Sequence, residues 1–100
     1  MAKKKGKYVI VRTYSAGAFA GYLKSKSKCG TQAVLDESRR LWYWKGAASL
    51  SQLATDGVKF PNECKFPDAI NGHELTGVIE VIPVTSVAQK IIQAVPIWKA

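Results

Sequence analysis

The chain has 100 residues, 47% hydrophobic and 22% charged, with 15 Lys and Arg against 7 Asp and Glu for a net charge of +8. That is the size and composition of one globular domain with a modest core, which oligomerisation would help to stabilise. No apolar run approaches the roughly 18–20 residues of a membrane span, and no h-region follows the basic start, so neither a membrane location nor secretion is expected.

Lys3, Lys4, Lys5 and Lys7 supply half of the net charge. Residues 1–6 therefore read as a basic flexible tail, and 7–100 as a single globular domain. Only three of the 15 cations are arginines, which argues against a large duplex-binding surface. Cys29 and Cys64 are far apart and fit free, structural thiols of a reducing cytoplasm.

Along the chain, Lys7–Thr13 is rich in β-branched and aromatic residues and predicts a strand, with Val9 and Val11 on one face and Tyr8, Ile10 and Arg12 on the other. A tight connection near Tyr14–Gly17 leads to a second strand over Ala18–Lys24. The lysine-bearing "KSKSKCG" is a turn. Thr31–Leu35 predicts a third strand, "DES" a turn, and Arg39–Trp44 a fourth strand. Ser49 and Gln52 have capping-box spacing at the start of a helix over Ser49–Asp56, and Gly57 fits its C-terminal end. The segment "KFPNECKFPDAINGH" reads as an irregular loop. Glu74–Val84 is strongly strand-like. Ser86 and Gln89 repeat the capping-box spacing for a second helix that Pro96 stops, and Ile97 and Trp98 are expected to lie against the body. The fold class is α+β: a small antiparallel sheet or half-open barrel of about five strands with two short helices.

An enzyme is not expected. Carboxylates are sparse. Glu80 lies in an apolar strand, where it either faces solvent at an edge or needs a partner such as Arg12 or Arg40. His73 falls in the loop. There is no phosphate-cradling glycine loop, nucleophile elbow or metal cluster, so no catalytic residue, metal or cofactor is assigned.

The densest chemistry is "RRLWYWKGAASLSQLA". On a strand, Arg40, Trp42 and Trp44 share one face, with Arg39 on the other. Adjacent tryptophan rings offer stacking surfaces to nucleobases. Guanidinium groups fork onto phosphate oxygens. Gly46, Ala47 and Ser49 lead into a helix start whose unpaired N–H groups favour an anion. With Arg12 and Tyr14, these residues form the expected ligand site. Each also has a plainer account: tryptophans alternating in a strand are commonly core or interface, and Ser49 is fully explained as an N-cap.

The stretches "YVIVRTYSAGAFAGYL" and "RRLWYWKGAASLSQLATDGVK", with "GVIEVIP" and the ending "VPIW", resemble a family of small phage and prophage proteins labelled a domain of unknown function. The resemblance runs over nearly the whole chain past the lysine tail and implies an early or accessory phage protein. In size, expected homo-oligomerisation and use of aromatic–arginine pockets, the chain also resembles phage sponge proteins of the anti-CBASS and anti-Thoeris types. That likeness concerns role and carries over no site residue. The expected function is noncatalytic sequestration of a small nucleotide ligand, namely a cyclic di- or trinucleotide or an ADP-ribose derivative. The alternatives are binding of single-stranded nucleic acid and binding of a host protein.

Overall fold

The computed structural model describes residues 6–15 and 17–98. Most of the expected basic tail, residues 1–5, lies outside the described residues. Five strands, β1 (Tyr8–Thr13), β2 (Ala18–Lys26), β3 (Gln32–Arg40), β4 (His73–Thr76) and β5 (Val78–Pro83), form one antiparallel sheet in the order β4-β3-β2-β1-β5. Two helices, α1 (Leu50–Asp56) and α2 (Ser86–Ala94), complete the α+β fold, and a 3-10 turn spans Pro61–Glu63.

The sheet is open but strongly curled. Its two edge strands, β4 and β5, are separated in sequence by Gly77 alone, so the edges must meet at that end. Gly77 makes the break possible because its φ of 68° is the left-handed region. Its carbonyl accepts from the Tyr14 N–H, and the next residue, Val78, donates to the Thr31 carbonyl. The expected continuous strand over Glu74–Val84 is thus two strands with different partners. The curl lets all five strands bury one face together, through Val9, Val11, Phe19, Ala33, Leu35, Leu75 and Val78. Phe19 is fully buried there, and burying a side chain of that size contributes about 1.5–3 kcal/mol.

The other face carries the helices. Tyr8, Ile10, Ala18 and Ala20 pack with Leu53 and Ala54 of α1 and Ile92 of α2, as the alternation along β1 predicts. Ser49 caps α1: its Oγ accepts from the Gln52 N–H, and Gln52 Oε1 accepts from the Ala48 N–H. The cap of α2 is Thr85, one residue before the expected Ser86. Its Oγ1 accepts from the Ala88 N–H and donates to the Thr55 carbonyl, which ties the start of α2 to the end of α1.

Two expectations fail around "DES". The segment does not turn. It continues β3 with a bulge, because Ala20 pairs with Arg39 while Tyr22 pairs with Asp36. Glu37, at φ 51°, absorbs the extra residue. The bulge is held from outside the sheet: Asp36 Oδ1 accepts from Gly72 N–H, Glu37 N–H donates to Asn71 Oδ1, and Ser38 pairs with Ile70. The strand then ends at Arg40, so Leu41–Trp44 is not part of it. His73 is not in a loop but opens β4.

Candidate functional site

Arg39 and Arg40 face opposite sides of the sheet, as adjacent strand residues must. Arg39 is buried, and all five of its N–H bonds point at backbone carbonyls. Nε donates to Pro67, one terminal nitrogen to Ile92 and Val95, the other to Phe66 and Pro96. Three of these carbonyls belong to the end of α2 or just follow it, where carbonyls run short of intrahelical donors and a cation is favoured; the Ile92 carbonyl also accepts from the Val95 N–H. Arg39 therefore joins α2 to the 66–67 segment and has no donor left for a phosphate.

The expected anion site before α1 is likewise committed to the fold. Ser49 Oγ and the Ala48 N–H are engaged in the cap. Gly46 lies at φ 99°, and a Cβ there would collide with the Lys59 backbone. Ala47 and Trp44 pack against the helix-side core, so Trp44 is not on the same surface as Trp42. Arg12 Nε pairs with Glu80 Oε1 at 2.9 Å, with both side chains about half exposed, which settles the Glu80 question in favour of an edge-strand carboxylate. Tyr14 is exposed, and its N–H is held by Gly77.

What remains is a surface that Trp42 forms with a residue outside its own segment. Tyr43 and Lys65 exchange both backbone hydrogen bonds, and the neighbouring Phe66 carbonyl accepts from the Trp98 N–H. The Lys65–Phe66 dipeptide thus holds residues 42–43 on one side and 97–98 on the other. The Trp42 and Trp98 rings lie nearly parallel, 7° apart with centroids 6.5 Å apart. They are 63% and 41% exposed, so large apolar area stays in water. Lys65 Nζ sits 5.5 Å from the centre of the Trp98 ring. Arg40 reaches from the end of β3 over the Phe19 ring, 4.5 Å from its centre.

Residues 6–92 match the family described as "Domain of unknown function (DUF6948)". The chain belongs to the DUF6948 family. No curated protein and no solved structure matches it significantly. The DUF6948 match spans every strand and most of α2 and stops short of Trp98. Trp98 and Lys65 are the residues of the surface that the sequence did not point to as ligand contacts. The available signal was weak: one tryptophan two residues from the end of the chain, one lysine among many.

Ser38 Oγ and His73 Nδ1 are 3.1 Å apart, but Ser38 is 1% exposed and cannot meet a substrate. Burial and the nearby Arg40 charge hold the His73 imidazole below its usual pKa. Cys29 is exposed, and hydrogen bonds from Ser27 and Thr31 bring its thiol down to about 7, while Cys64 is buried. Among the described residues no group of three or more His, Cys, Asp or Glu is placed to hold a metal, and no helix is long and apolar enough to cross a membrane.

Proposed function

We propose that this protein binds nucleotides without transforming them, through stacking on the Trp42–Trp98 pair. The observation that carries the proposal is the pair itself: two parallel indole rings left open to solvent, with the Lys65 ammonium beside one of them. Packing alone does not account for so much exposed aromatic surface, whereas a base laid on an indole face is stabilised by about 1–3 kcal/mol. The Lys65 ammonium beside the Trp98 ring supplies a phosphate contact. We assign the ligand as a cyclic di- or trinucleotide or ADP-ribose signal of bacterial anti-phage defence, held by a phage protein. Slow release then requires a second copy to cover the rings, so the sequestering form is a homo-oligomer.

A second role, binding of single-stranded nucleic acid, is favoured by the openness of the rings and by the net charge of +8. Native mass spectrometry with a panel of cyclic nucleotides, ADP-ribose derivatives and a short oligothymidylate separates the two. A fixed number of intact small nucleotides per oligomer supports sequestration. Retention of the oligonucleotide alone, weakened by salt and by deletion of Met1–Lys5, supports the second role. Binding of neither, or binding unchanged in Trp42→Ala and Trp98→Ala, overturns the assignment of the rings.

A further inference from the structure

The Trp42–Trp98 pair is one end of a longer surface. Tyr43 and Lys65 exchange both backbone hydrogen bonds, and residues that do so in an antiparallel pair carry their side chains on the same face. The same register places Lys45 opposite Glu63, and their side chains do meet, Nζ to Oε1 at 3.0 Å. Tyr43, Lys45, Glu63 and Lys65 therefore share one face. Trp98 borders it beside Lys65. Phe60 borders it beside Lys45, whose Nζ lies 5.7 Å from the Phe60 ring centre.

This face alternates open rings with charge. Tyr43 is 48% exposed, and its side chain has no ring or hydrogen-bond partner among the described residues. No ring contact joins it to Trp98, so Tyr43 offers a stacking surface of its own on the far side of the Lys65 side chain. Phe60 is also half exposed. Glu63 neutralises Lys45. Lys65 has no carboxylate partner among the described residues, and it stands between the Tyr43 and Trp98 rings.

We propose that the stacking site continues across Lys65 to Tyr43, and that its ligand carries at least two bases joined through phosphate. This rests on the reading of the Trp42–Trp98 pair as a stacking site and narrows it. One base lies on the tryptophan pair, the Lys65 ammonium meets the linking phosphate, and the second base lies on Tyr43. Phe60 extends the row for a longer chain. A single-base ligand such as an ADP-ribose derivative leaves the Tyr43 ring uncovered. Base–phosphate–base chemistry, cyclic or linear, uses both stacking surfaces and the cation between them.

The test is isothermal titration of the full chain with ADP-ribose, cyclic di-AMP and linear diadenylate bearing a terminal phosphate. All three carry adenine and the same number of phosphates. The two-base ligands should bind about five- to hundredfold more tightly than ADP-ribose, the worth of one further stacked base. Tyr43→Leu should remove most of that advantage and leave ADP-ribose affinity unchanged, while Trp98→Ala weakens all three. The Tyr43→Leu variant should melt within a few degrees of the parent, because the ring is half exposed and its backbone hydrogen bonds remain. Tighter binding of the cyclic form identifies a signal nucleotide, and affinity that rises with adenylate length identifies a single strand; either supports the proposal. Equal affinity for ADP-ribose and the two-base ligands, or an advantage that survives Tyr43→Leu, overturns the continuation across Lys65 and leaves the tryptophan assignment standing. Failure of all three ligands to bind overturns the tryptophan assignment and this proposal with it.

Discussion

Arg39 and Trp42 are three residues apart and come from the same dense segment, yet their surroundings are opposites. Arg39 is 6% exposed, and its guanidinium is saturated by carbonyls from two parts of the chain, 66–67 and 92–96. Trp42 is 63% exposed and touches another tryptophan that is itself open to solvent. The first environment is complete without any other molecule, and the second is not. A residue type suited to binding is therefore weak guidance by itself; what decides is whether its hydrogen bonds and apolar area are already used within the fold. The end of β3 sorts the two. Arg39 is the last helix-side residue of the strand, and two residues after the strand ends Trp42 is free to leave the core.

The sharpest way to break this contrast is Arg39→Ala. It removes five hydrogen bonds, strips the Val95 and Pro96 carbonyls after α2 of their guanidinium donor and releases the 66–67 segment. Loss on the order of 4 kcal/mol is expected from charged, buried hydrogen bonds of this kind. In a domain whose whole stability is about 5–15 kcal/mol, urea unfolding should show a far lower midpoint or no cooperative transition. A variant of normal stability that loses nucleotide binding would make Arg39 a ligand residue after all.

The two tryptophans of the segment sharpen the contrast in crossed fashion. Trp44→Ala removes a ring packed against the helix-side core and should cost about 2–3 kcal/mol in urea unfolding, with nucleotide affinity retained by the folded fraction. Trp42→Ala should cost about 1 kcal/mol or less, since its main contact is an exposed ring pair. Its effect belongs to binding: removal of one stacking surface should weaken nucleotide affinity about five- to hundredfold, measured by fluorescence titration of the remaining tryptophans. Equal effects of the two variants on stability and on affinity would mean that the rings share one environment.

The sheet and both helices were legible because local signals agreed there. Alternation in "YVIVRT" sets the two faces of β1, and the Ser49–Gln52 spacing marks the start of α1. The boundaries that failed depend on distant partners. "DES" looks like a turn, but Asn71 and Gly72 satisfy its polar groups and let β3 run on with a bulge. His73 looks like a loop residue, but β3 supplies a partner strand. The strand "HELTGVIEVIP" changes edges at Gly77, which no local pattern signals beyond the glycine itself. The site was half legible for the same reason. That Arg39 and Arg40 diverge followed from strand geometry, but the carbonyls that absorb Arg39 lie 27–57 residues away in sequence. Trp42 met its ring partner only through the pairing of Lys65–Phe66 with two other segments.

The smallest expected effect tests the surroundings of Arg40, on the concave side. Its guanidinium lies over Phe19, the ring of His73 stands edge-on to the same Phe19, and Ser38 Oγ meets His73 Nδ1. Burial first and the Arg40 charge second lower the His73 pKa in the folded protein. In the unfolded chain it titrates near the ordinary value of about 6.5. The unfolded state therefore binds the proton first as pH falls, so this contribution to stability is present above about pH 6.5 and lost as pH drops through the lower folded value. Thermal unfolding from about pH 7.5 to about pH 5 should show a shallow fall in Tm that His73→Asn removes. Arg40→Gln should make the fall shallower without abolishing it, because burial remains when the cation is gone. If Arg40→Gln leaves the slope unchanged, the guanidinium does not act on His73, and its place over Phe19 is not kept in solution.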